Sequence, residues 1–206
     1  MTREALRSRP VQTRSQEMVS RILDATAQVL TARGYDGLST NRVAEQAGVS
    51  IGSLYRYFED KEQLVEQLRR RVNDELLAEL TESMIRSSEL EPYAGTRTVL
   101  VTLVEGLERH RGVMRALIDG VPMGSQANRL PEVERQLSQF ARLGVASRLP
   151  GLPRAEIEAR LYLAMGMTLN ACLRIALERP PELDRERLID LVASMLLAGL
   201  GDERSD

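Results

Sequence analysis

The sequence predicts an all-α fold, with a small amino-terminal helical domain joined by a long helix to a larger helical domain. Three observations carry this. Apolar residues recur at three- and four-residue spacing along most of the chain, and no stretch alternates apolar and polar residues as a half-buried strand does. Glycine and proline clusters punctuate those periodic stretches. Aromatic residues make up only 3% and Trp is absent, so the core falls to Leu, Ala and Met, which suits packed helices. A chain of 206 residues is long enough for a small domain and a larger one with its own core. The expected division is residues 1–60, of which 1–13 form a flexible arm, and residues 61–206.

The elements follow in order. Thr13 with Gln16 fits a capping box, and the first helix then runs to about Arg33 with Met18, Ile22, Ala25 and Val29 in one apolar row. Gly34 ends it. Two short helices fall between Thr40 and Phe58. Asp60, with Gln63 three residues on, opens a long helix whose row Leu64, Leu68, Val72, Leu76 and Leu80 continues to about Arg86. Such a helix of some 27 residues reaches about 40 Å, far enough for displacement at one end to move the other. Glu91-Pro92-Tyr93-Ala94-Gly95 reads as a break, and a helix over about 96–110 follows. Gly112 separates that helix from a shorter one ending at Ile118. Residues 120–131 read as a loop and 132–148 as a helix. Pro150 to Pro153 break the chain again. Two final helices span about 154–178 and 184–199, divided by Pro180-Pro181.

The pair of short helices is the most informative stretch. Val43, Ala44 and Ala47 give the first an apolar face, and Gly48 follows where the backbone needs a positive φ. Val49 fills the angle between the helices. Ser50 is an N-cap for a second helix opening at Ile51, on which Leu54 and Phe58 face inward. Ser53, Arg56 and Tyr57 then point elsewhere, with Tyr55 near the boundary. Gly52, a poor helix former, reads by itself as a tolerated surface glycine, and alternatively as a site where another backbone approaches closely. Two helices joined by a tight turn, with the second presenting hydrogen-bond donors, describe a helix-turn-helix unit able to enter a DNA major groove.

Composition excludes several other classes. With one histidine, His110, and one cysteine, Cys172, no multi-His or Cys-rich metal cluster and no intramolecular disulfide can form. No phosphate-binding loop or dinucleotide fingerprint is present, and no motif supports a Ser-His-Asp triad. The expectation is a non-enzymatic protein with no cofactor. The opening residues lack the apolar run of a secretory leader and no stretch approaches 18 apolar residues, which predicts a cytoplasmic protein without a membrane span. The net charge of −2 is unevenly spread. Residues 1–73 hold 12 basic and 9 acidic groups, and the remainder 16 and 21, so the amino-terminal part is the cationic one. Arg3, Arg7, Arg9 and Arg14 suit either an arm along DNA or a solvated tail.

The ordered set Gly37-Leu38-Ser39-Thr40, Val43-Ala44, Ala47-Gly48-Val49-Ser50, Gly52-Ser53-Leu54-Tyr55, Tyr57-Phe58 and Lys61-Glu62-Gln63-Leu64 resembles the DNA-binding domain of the TetR/AcrR family of bacterial transcription regulators. The likeness extends back through Ile22-Leu23-Asp24-Ala25 and Gly34-Tyr35, covering about the first third of the chain. It implies a double-stranded DNA operator as partner. The candidates for phosphate contact are Thr40, Tyr55, Tyr57 and Lys61. Lys61 is the only lysine among 27 arginines and stands where the family carries a DNA-facing lysine. The candidates for base edges are Asn41, Ile51, Ser53 and Arg56. Ile51 departs from the polar or basic residue frequent there, and offers a thymine methyl contact instead.

The resemblance also implies a homodimer whose last two helices form a four-helix seam. Leu161, Met165, Leu169 and Cys172 on one helix, and Leu188, Leu191, Val192 and Met195 on the other, fall at helical spacing for that seam or for ordinary core. Leu103, Leu107, His110, Met114, Leu117, Phe140, Leu143 and Met167 lie on helices that line the regulatory pocket in related proteins, where a small, largely apolar effector binds. The function so implied is a ligand-released repressor on a pseudo-palindromic operator. The alternative is a DNA-binding factor controlled by a protein partner without a small-molecule effector.

Overall fold

In a computed structural model the described residues are 5–120, 131–148 and 152–200, and every regular element among them is helical. Among the described residues nine α-helices follow in order: α1 (Ala5–Arg33), α2 (Thr40–Ala47), α3 (Ile51–Tyr55), α4 (Lys61–Ser87), α5 (Pro92–Arg109), α6 (Arg111–Gly120), α7 (Pro131–Arg148), α8 (Arg154–Leu173) and α9 (Arg185–Leu200). The chain separates into two compact units. One comprises Met1–Val72 with Gly112–Asn128, the other Asn73–Arg111 with Arg129–Asp206. The expected boundary at residue 60 coincides with the start of α4, whose first twelve residues cluster with the first unit.

In the first unit α1 packs on α2, and α2 on α3. Ile22, Leu30, Val43, Leu54, Leu64 and Leu68 are fully buried there, each contributing about 1.5–3 kcal/mol by leaving water. Asp24 of α1 meets Arg71 of α4, Oδ1 to Nη1, at 2.8 Å. Among the described residues helix α1 already includes Ala5, which corrects the expected cap at Thr13. Ala5, Leu6 and Arg7 are strong helix formers, and Pro10 removes one backbone donor without ending the helix.

In the second unit α5, α8 and α9 pack on one another and α7 packs on α8. Leu80, Leu103, Leu107, Leu161 and Ile189 are fully buried. Helix α5 starts at Pro92, earlier than the expected residue 96, because a proline at the first helical position needs no donor. Gly95 lies inside that helix, where an added Cβ would come within 2.9 Å of the Ser87 carbonyl oxygen. The helix expected over 154–178 changes at Leu173 into a π-helical turn, Arg174–Glu178. The Ala176 carbonyl in that turn accepts from both Nε and Nη2 of Arg111. The loop expected over 120–131 lies outside the described residues from 121 to 130.

Candidate nucleic-acid interface

The reading unit is built by caps. Ser39, extended at φ −147°, precedes α2, and its Oγ accepts from the Arg42 amide at 3.4 Å. At the other end Gly48 takes φ +66°, and the Val49 amide reaches back to the Ala44 carbonyl at 3.0 Å. That left-handed residue closes the helix in a Schellman-type turn and reverses the chain within three residues. Ser50 then caps α3, its Oγ accepting from the Ser53 amide at 3.1 Å. Leu54 and Phe58 anchor α3 from below. The helix is short and held by these two ends rather than by its own length.

Its outer face, with the two residues that follow it, carries most of the predicted DNA-contacting residues. Ile51, Gly52, Tyr55 and Arg56 are exposed, and Ser53 and Tyr57 half-buried. Asn41 is exposed on α2, and the neighbouring Thr40 Oγ1 lies 3.2 Å from the Tyr55 hydroxyl, tying the start of α2 to the end of α3. The Ser53 hydroxyl sits 2.8 Å from Ser50 Oγ, so part of its capacity is already used within the protein. An added Cβ at Gly52 would meet nothing within 4 Å, so the fold itself does not demand glycine there. Lys61 opens α4 behind Asp60, whose carboxylate accepts from the Gln63 amide at 2.7 Å while Gln63 returns a contact to the Glu59 amide at 2.7 Å. The lysine Nζ stands 4.5 Å from the centre of the Tyr35 ring.

Sequence reasoning missed two features here. Tyr35 entered only as part of the family pattern, and its contact with Lys61 joins residues far apart in the chain. Arg42, exposed on α2, gives Nη1 to the Gly37 carbonyl at 2.7 Å and so braces the turn before α2. A basic residue three positions after a capping serine was the available signal for it.

The apolar row on α8, offered for the seam or for ordinary core, lies in the core. Leu161, Met165, Leu169 and Cys172 are buried in the second unit's own core. Burial also pushes the Cys172 thiol up to about 12, which leaves it a neutral apolar filler. The face left open is the opposite one, where Tyr162 is 77%, Leu163 61% and Met167 66% exposed. On α9, Leu191 and Met195 are exposed, and Leu188 and Val192 half-buried.

The pocket candidates do not gather in one unit. Leu103 and Leu107 are fully buried in the second unit, whereas Met114 and Leu117 belong to the first. Met167 points outward on α8, which removes it from any lining. Phe140 is half-buried, and the Leu143 side chain lies outside the described residues. His110 is partly buried, its Nε2 3.1 Å from Glu75 Oε2 but without the alignment of a hydrogen bond. Among the described residues no group of three or more His, Cys, Asp or Glu could hold a metal ion, and no helix is long and apolar enough to cross a membrane.

A short capped helix with an exposed polar face, set on a tight turn, defines a helix-turn-helix DNA-binding protein. The family model of bacterial regulatory proteins, tetR family, matches residues 22–68. A transcriptional regulator of the helix-turn-helix type from Mycobacterium bovis is 30% identical over 158 residues, 72% of this chain and 77% of that protein. The chain therefore belongs to the tetR family, whose members are DNA-binding transcriptional regulators. The nucleoid occlusion factor SlmA of Haemophilus influenzae is 26% identical over 135 residues, which are 66% of this chain but only 58% of that relative's length. Among solved structures, a transcriptional regulator from a Rhodococcus species aligns with TM-score 0.63 at 27% identity, covering 88% of this chain and 96% of that one. The fatty acid degradation regulator FadR from Bacillus halodurans shares the fold, with TM-score 0.68 at 18% identity over 90% and 96% of the two chains.

Proposed function

We propose that the chain is a repressor that binds a pseudo-palindromic operator as a homodimer and leaves it when a small, largely apolar effector binds the larger unit. The observation that carries this is the outer face of α3 with the start of α2. Asn41, Ile51, Ser53 and Arg56 supply base-edge contacts there, while Thr40, Tyr55, Tyr57 and Lys61 take phosphates. The open space at Gly52 suits close approach of a DNA strand. One such unit reads few bases, so two half-sites about one helical turn or a multiple apart are expected. The exposed apolar residues of α8 and α9 support self-association, because soluble monomers seldom leave contiguous apolar faces open. Helix α4 starts at Lys61 and carries Leu76 and Leu80 into the core of the second unit, so an effector there has a direct mechanical route. Operator and effector must then weaken each other's binding by the same factor.

Genome-wide footprinting with the purified protein tests the reading. Symmetric paired half-sites are the expected result. Protection without any shared sequence would overturn it. The similarity to nucleoid occlusion factors favours a second reading, in which the same DNA-binding dimer answers to a protein partner. Release from the footprinted sites by a small apolar compound separates the two.

A further inference from the structure

We propose that Tyr35 is a positioning residue for Lys61, its ring face holding the ammonium group ready for a DNA phosphate. This rests on the phosphate role given to Lys61 above. Three observations converge. Lys61 is the first residue of α4, where the partial positive charge of the helix end disfavours a cation, so something must offset that placement. Among the described residues no carboxylate forms an ion pair with it, whereas its Nζ lies 4.5 Å from the Tyr35 ring centre, within the roughly 6 Å at which a ring face attracts a cation. The backbone that carries the ring is itself fixed. Gly34 at φ +68° ends α1 and turns the chain, and the Tyr35 carbonyl accepts from the Leu38 amide at 3.2 Å.

A lysine carries its charge on a flexible four-carbon stem and loses rotamer freedom when it docks. A ring that already restrains the stem removes part of that loss before DNA arrives. It leaves the ammonium's remaining donors free for phosphate oxygens. The chain's other 27 cations are arginines, which present a preorganised fork and need such help less.

The roles of charge and of positioning separate in a salt titration. Binding to a fluorescent mixed-sequence duplex would be followed by anisotropy, because the phosphate term is independent of sequence. Tyr35→Leu is expected to weaken binding about 2- to 10-fold per subunit with the slope of log K against log salt unchanged, since the same phosphates are neutralised. Tyr35→Phe keeps the ring and should bind as wild type. Lys61→Ala should flatten the slope by about 0.9 for each phosphate that the protein no longer neutralises. In the Lys61→Ala background, Tyr35→Leu should then cost nothing further.

An equal Tyr35→Leu loss in both backgrounds would show a merely structural role and overturn the proposal. So would a loss in Tyr35→Phe as large as in Tyr35→Leu, which would assign the contact to the hydroxyl. A Lys61→Ala slope equal to wild type would instead remove the phosphate role of Lys61, and this inference with it.

Discussion

At the level of single residues, the proposed interface divides into groups that hold the backbone and groups left open to DNA. Ser39, Gly48 and Ser50 are committed to caps, and Arg42 to the Gly37 carbonyl. Gly48 illustrates the first kind, because any L side chain at φ +66° carries a steric penalty of about 1–2 kcal/mol. Asn41 and Arg56 illustrate the second: both are exposed, and no hydrogen bond to either side chain occurs among the described residues. Where Arg56 takes guanine O6 and N7, or Asn41 takes adenine N6 and N7, truncation to alanine should weaken specific binding by about 1–3 kcal/mol per half-site and relax the preference at that base. Competition binding against operators mutated at single positions measures both effects. A uniform loss at every position would move the residue to the phosphate group instead. The caps were legible in the sequence because each rests on a local rule linking one residue type to one backbone conformation. The Thr40–Tyr55 hydroxyl contact and the Tyr35–Lys61 contact were not, because they depend on where separate helices come to lie.

At the level of elements, helix periods were legible and helix faces were not. The row Leu64, Leu68, Val72, Leu76 and Leu80 was placed inward correctly because its opposite face is charged. Helix α8 offers no such contrast. Leu161, Met165 and Leu169 make one apolar row, and Leu163 and Met167 another on the opposite face. Spacing alone cannot say which row turns to the core. The structure buries the first and opens the second. A helix end shifted where proline was read only as a breaker, since Pro92 instead starts α5.

The pairing of α5 with α9 has a pH signature. Arg97 gives Nε to Asp190 at 2.7 Å and Nη2 to Glu186 at 2.6 Å. The hydrogen bond from Arg97 holds the Asp190 carboxyl below its ordinary value of 3.8. A carboxyl lowered on folding stabilises the folded state above its unfolded value, and that contribution disappears as pH falls through the folded value. The melting temperature of Arg97→Ala should therefore lie furthest below wild type near neutral pH, with the gap closing below about pH 4. A gap of constant size from pH 7 to pH 3 would show that the clamp acts through packing of the arginine stem.

At the level of the whole molecule, the proposed homodimer makes function turn on duplication. A twofold interface brings each stripe against its own copy, so one substitution is felt twice. The open stripe of α9 contains Met195, 72% exposed, four residues after Leu191 and four before Gly199, where an added Cβ would meet nothing within 4 Å. A glycine at the edge of such a stripe admits close approach of a second helix. In the isolated subunit Met195 contributes little to the core, so Met195→Asp should leave the helical signal and the melting behaviour of the subunit largely intact. In a dimer it would bury two unpaired carboxylates, at several kcal/mol each. The expected outcome is a folded monomer by sedimentation at concentrations where wild type is dimeric, with operator affinity falling to that of one half-site. Leu161→Asp is the contrasting variant, because Leu161 is buried within its own subunit, and it should unfold the chain rather than split a pair. A Met195→Asp protein that stays dimeric and binds the operator as wild type would place the seam on another surface.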